Sequence, residues 1–286
     1  MKRRFFHGEG WRKVTEPAGN MPIEAKIKPA LTSLLYQLAD DDFILAYRGA
    51  EWLGLAPHIE EDVAFSSISQ DTMGHAAMFY QLLADLGEGN VDSLAHARKT
   101  SERRNAVLLE LVNGPGHYLS SAQYDWAFAV VRNYFYTQAK KIRLDSLKNS
   151  SYRPLAEVAL KVNMELYYHL LHWKTWFIQL MQAGGEARTR MEAAIGKVLA
   201  DFEGVLILGP LAKEMAEYGL IEKEEVSKQR WLHTMKPVFE SVNLAVSEAN
   251  LAMKTGNGRI GEHTVDLDDA LSTLSEVYNI NPAASW

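Results

Sequence analysis

The chain has 286 residues, 47% of them hydrophobic, which is enough for one large core. Lys and Arg number 30 against 36 Asp and Glu, so the net charge is −6 and lacks the basic excess of a nucleic-acid binder. Cysteine is absent, which excludes disulfides, thiolate metal ligands and cysteine nucleophiles.

Residues 1–30 read as a basic arm. They carry Lys2, Arg3, Arg4, Arg12 and Lys13 with Pro17, Pro22 and Pro29, and show no sustained periodicity. Phe5, Phe6 and Trp11 would anchor the arm if it docks. It lacks the continuous apolar stretch of a secretory signal, and no apolar run reaches the roughly 20 residues of a membrane span. A soluble cytoplasmic protein without membrane or nucleic-acid partners is the expectation.

From Leu31 to the end the period is helical, and Gly and Pro cut it into pieces. These fall at about 31–55, 59–86, 92–112, 119–148, 153–183, 187–218, 223–254 and 264–279. Gly209-Pro210 should kink or split the sixth piece. Long helices with short links predict a single all-α domain over 31–286, a bundle in which sequence neighbours pack antiparallel.

Polar residues interrupt the apolar stripes. In the second piece Ile59, Val63, Ser67, Asp71, His75, Met78 and Leu82 line up. In the fifth, Leu155, Ala159, Val162, Leu166, His169, Trp173 and Trp176 do, with Glu165 one turn before His169. Glu51 interrupts the first stripe and Lys141 the fourth. A single inward histidine or acid is ordinarily a satisfied core group. Two matching acid–histidine pairs on different helices predict a shared polar site, active or vestigial, since buried charge must be paired or metal-bound.

Bundles that hold two irons take a Glu from each of two helices and Glu-x-x-His from each of two others. Here Thr72 stands three residues before His75, and Leu166 three before His169. The acids Asp71 and Glu165 sit at i−4 instead, and Thr137 stands where a carboxylate could be. Glu51, His75 and His169 could still hold a single metal. Against this, a lysine in the cavity, Lys141, would repel a cation and neutralise an acid. His172, at i+3 from His169, is a weak chelating signal, and His233 and His263 carry no assignment. No dinucleotide, P-loop, zincin or nucleophile-elbow motif is present. Trp126, Tyr134, Tyr136 and Trp231 are candidate partner-surface aromatics, although aromatics on helices usually pack inward.

The stretch "AEWLGLAPHIEEDVAFSSISQDTMGHAAMFYQLLADLGEG" resembles the ferritin-like pair of subunits in the bacterial phenylacetyl-CoA ring epoxidase complex. The catalytic subunit of that family reads like QDEAGH and KEESFH; this chain reads "QDTMGH" and "NMELYYH". "AEWLGLAP", "NYFYTQ" and "MELYYH" are more similar to the structural, non-catalytic subunit, as are "GEHT", the later Pro282 and the final Trp286. The resemblance spans about 31–286 and leaves out the arm.

It implies a ferritin-like antiparallel four-helix bundle with additional C-terminal helices. It implies a non-catalytic subunit paired with a di-iron catalytic subunit in a heterodimer, with no cofactor in this chain, a small bridging subunit and, indirectly, a reductase. The partner would epoxidise the ring of phenylacetyl-CoA in aerobic phenylacetate catabolism. Glu51, Asp71, His75, Lys141, Glu165 and His169 would then be a relict polar cluster. A homodimer of the isolated chain stays open. So do a metalloenzyme of the same fold using Glu51, His75 and His169, and a helical interaction protein unrelated to oxygenases.

Overall fold

Proline opens two of the four longest helices, in the first turn, where its missing N–H leaves nothing unpaired. In the computed structural model, which describes residues 26–284, the first half of the chain forms α1 (Lys28–Ala50), α2 (Ile59–Asp85), α3 (Val91–His96), α4 (Val107–Glu110) and α5 (Trp126–Leu147). The second half forms α6 (Arg153–Ala183), α7 (Gly185–Leu199), α8 (Glu203–Leu206), α9 (Ala212–Glu217), α10 (Glu224–Ser241), α11 (Val265–Leu274) and α12 (Glu276–Ile280). No strand occurs among the described residues, and none of their helices is long and apolar enough to cross a membrane.

α1, α2, α6 and α5 form a four-helix bundle around two apolar cores. One core holds Phe65, Val130, Tyr134, Phe135, Trp173 and Phe177. The other holds Leu34, Phe79, Leu83, Leu147, Leu155 and Val162. Along α1 and α6 the sequence runs from the second core to the first; along α2 and α5 it runs the other way. The two hairpins α1–α2 and α5–α6 are therefore antiparallel, while α2 and α5 run in the same direction. The segment between them is the single long crossover of a ferritin-like bundle.

That crossover departs from the single helix expected over 92–112. α3 and α4 are separated by a 3₁₀ turn at Thr100–Glu102 and an extended stretch. The cause lies in α1. The backbone N–H of Arg104 donates to Asp40 (2.8 Å) and that of Ala106 to Asp41 (2.8 Å), so these donors serve buried carboxylates rather than a helix ladder. α5 begins later than residue 119 because Asp125 caps it, accepting from the N–H groups of Ala127 and Phe128. α10 ends at Ser241, not 254, in a Schellman turn with Asn243 at φ +54° and the Leu244 N–H on the Phe239 carbonyl (2.9 Å). The sixth piece is split at Gly209-Pro210 as the sequence predicts, but α7 has already ended at Leu199, ten residues earlier.

The α6 stripe is buried as expected through Trp173, then passes to Phe177. The α2 stripe is not. Ile59, Val63 and Ser67 face outward, and Phe65, Ser69, Thr72, Ala76, Phe79 and Leu83 face in. The run 59-63-67-71-75 steps by four each time, and each step of four overshoots the 3.6-residue turn by about 40°. Four steps carry the line from solvent to core.

Candidate functional site

Between the two apolar cores lies a polar layer to which all four bundle helices contribute. On α5, Lys140 donates from Nζ to Asp42 Oδ2 on α1 (2.7 Å) and meets His75 Nδ1 on α2 (2.8 Å). Tyr136, one turn earlier on α5, donates to the other oxygen of Asp42 (2.9 Å). An ammonium has only donors, so His75 Nδ1 accepts and its proton sits on Nε2. From there it donates to Glu165 Oε2 on α6 (2.6 Å). The hydrogen bonds thus run Tyr136–Asp42–Lys140–His75–Glu165, from a fully enclosed start to a carboxylate whose side chain is 42% exposed. A second contact crosses the same seam the other way, from His169 Nε2 on α6 to Asp71 Oδ2 on α2 (3.0 Å). The two imidazoles lie 6.1 Å apart. Each i,i+4 acid–histidine pair in the sequence therefore trades partners with the other helix.

Burial, then the charge of Lys140, hold His75 far below the ordinary histidine value, so it is neutral. Burial also lowers His169, with the Asp71 hydrogen bond opposing it. Burial and the neighbouring Asp71 carboxylate raise Glu165. Burial pushes Asp42 up and Lys140 down, and the charge of each opposes that shift in the other.

The residues present do not suit a di-iron centre. Leu166 is buried apolar carbon, and Thr72 spends its hydroxyl on the Ile68 carbonyl (2.7 Å). The Nδ1 of His75 is occupied by an ammonium. Among the described residues no three His, Asp or Glu side chains gather in a group that could hold a metal ion.

Two members of the expected cluster lie elsewhere. Glu51 is buried at the end of α1, bound to Arg48 (2.9 Å) and Asn113 (2.9 Å), so the set Glu51, His75 and His169 does not assemble. Lys141 lies outside the layer, paired with Asp145 on its own helix (2.5 Å). The inward lysine is Lys140, at i+3 from Thr137, because a step of three, not four, returns the buried line to the core there. Asp71, His75, Glu165 and His169 do meet. Of the surface aromatics expected, Tyr134, Tyr136 and Trp231 are buried. His263 proves structural, with Nδ1 on the buried Glu110 (2.7 Å).

The stripe pattern passes over Asp40-Asp41-Asp42, all fully buried at the middle of α1. Consecutive helical residues point about 100° apart, so each aspartate finds different cations. Asp40 binds Arg98 and Arg103, and these outweigh the burial that would raise it and hold it at about 2. Asp41 takes Arg143 (3.1 Å) and Arg259 (2.8 Å), and Asp42 takes Lys140. The sequence carries no local signal for this, since acids on a helix ordinarily mark a solvated face and these depend on cations far along the chain.

The chain matches the profile of the family described as phenylacetic acid catabolic protein over residues 13–286, a match that starts inside the basic segment. It is also similar to a subunit of the 1,2-phenylacetyl-CoA epoxidase of Escherichia coli (strain K12), with 27% identity over 259 residues covering 90% of this chain and 99% of that one.

Proposed function

The chain belongs to the phenylacetic acid catabolic protein family, and from that premise we propose that it is the non-catalytic structural subunit of a multicomponent phenylacetyl-CoA epoxidase. It pairs with the di-iron catalytic subunit and carries no iron itself. The observation that carries this reading is the Lys140 ammonium donating to His75 Nδ1 at 2.8 Å inside the bundle. A metal-ligating imidazole keeps one nitrogen for the metal and usually gives the other N–H to an acceptor. Here one nitrogen accepts from a cation and the other faces Glu165. Leu166 and Thr72 at the two Glu-x-x-His positions point the same way. The Escherichia coli relative is one subunit of an epoxidase, which agrees with a role inside an assembly.

Iron analysis tests this. The chain, purified alone from iron-supplemented cells, should hold no stoichiometric iron, and the co-purified pair should hold iron attributable to the partner. One or two irons per isolated chain would overturn the proposal.

A further inference from the structure

The outer face of α6 carries an unexplained apolar ridge. Leu160, Met164, Tyr167, Tyr168 and Leu171 are 51% to 71% exposed, and their spacing puts them on one side of the helix. Together they form a patch on the order of 500 Å², in the range of the largest patches of monomeric proteins and well beyond scattered surface leucines. Across the seam, α2 exposes Ser67, Gln70, Gly74, Ala77 and Gln81 beside the ridge, and Ile59 and Val63 nearer its own start.

Midway along the ridge the seam opens on two carboxylates, Asp71 and Glu165, each with a 42% exposed side chain. Among the described residues their polar partners are the two neutral imidazoles behind them. Neither carboxylate forms an ion pair with a Lys or Arg among the described residues, and Lys161, one turn from Glu165, and Lys140, behind His75, act on Glu165 only at a distance. The surface is therefore apolar, helical and edged by negative charge that no Lys or Arg among the described residues pairs with directly.

We infer that the α6 ridge with the Asp71–Glu165 pair is the surface on which the catalytic subunit docks, through a helix whose apolar face presents an Arg or Lys to the two carboxylates. This rests on the function proposed above, and adds the place and the chemistry of the contact. A second copy of this chain fits poorly. A two-fold interface sets the centre of a patch against itself, and that would bring four carboxylates together. A guanidinium matches a carboxylate pair in geometry and charge.

The test is the dissociation constant of this chain with the di-iron subunit of its own complex, each variant first checked for a native melting curve. Tyr168→Ser and Met164→Ser should each weaken pairing by about tenfold or more. Glu165→Gln keeps an acceptor for His75 while removing the charge, and should weaken pairing and flatten its salt dependence. Val226→Ser, on the exposed face of α10, should change nothing. Wild-type pairing with undiminished binding by the ridge variants overturns this inference and leaves the proposed function standing. Failure of the wild-type chain to pair at all overturns the function, and this inference with it. Self-association of the isolated chain that Tyr168→Ser abolishes, with pairing to the di-iron subunit unaffected, assigns the ridge to a homodimer and overturns the inference.

Discussion

Lys140 is the residue on which the polar layer depends, because it answers Asp42 and His75 at once. Lys140→Met should cost about 3–5 kcal/mol in chemical denaturation, since it strands a buried carboxylate. The double variant Asp42→Asn/Lys140→Met removes both charges and keeps an acceptor for Tyr136. It should be more stable than the single Lys140→Met despite carrying one more change. The histidines set a pH dependence of definite sign. His75 and His169 have folded-state values below their unfolded ones, so the unfolded chain binds more protons in acid. The stability they protect is fully present above about pH 6.5 and is lost as pH falls below it. Each contributes a slope of up to about 1.4 kcal/mol per pH unit there. His75→Gln should remove about one histidine's share of that slope in denaturation series between pH 7 and 5.

At the scale of elements, the crossover and the C-terminal segment meet where backbone touches backbone. A Cβ on Gly258 would lie 1.9 Å from the Asn105 carbonyl oxygen. Gly258→Ala should therefore lower the melting temperature, at a cost of about 1–3 kcal/mol. Gly74→Ala, where nothing lies within 4 Å, should leave it unchanged or raise it. The sequence showed α2 and α6 nearly to the residue, because glycine and proline punctuate both ends and α6 has a regular stripe. It showed Asp71, His75, Glu165 and His169 as one site because an i,i+4 pair on one helix needs partners on another. It misplaced Lys141 and the start of α2's stripe because repeated steps of four drift around a helix. It could not show that 103–106 unwinds, because the cause is a pair of carboxylates about 64 residues earlier in the chain. Local propensity carries no record of such a contact.

At the scale of the whole molecule, the two apolar cores and the layer between them divide the work. The cores give the bundle its cohesion, and the layer fixes how the four helices register, since each polar group meets its partners at one height. The ring of helices is closed from outside by elements that arrive late in the sequence: α7 and α10 against α5, and α11 against α1. The three aspartates of α1 then impose an order on synthesis. α1 leaves the ribosome early, and its cations follow one set at a time: Arg98 and Arg103 for Asp40, Lys140 for Asp42, Arg143 and finally Arg259 for Asp41. Until each arrives, enclosing that carboxylate is costly and the nascent α1 stays hydrated. Asp41 and Arg259 are 218 residues apart, so Asp41 gains its second guanidinium, after Arg143, only once the segment beyond α10 has been made.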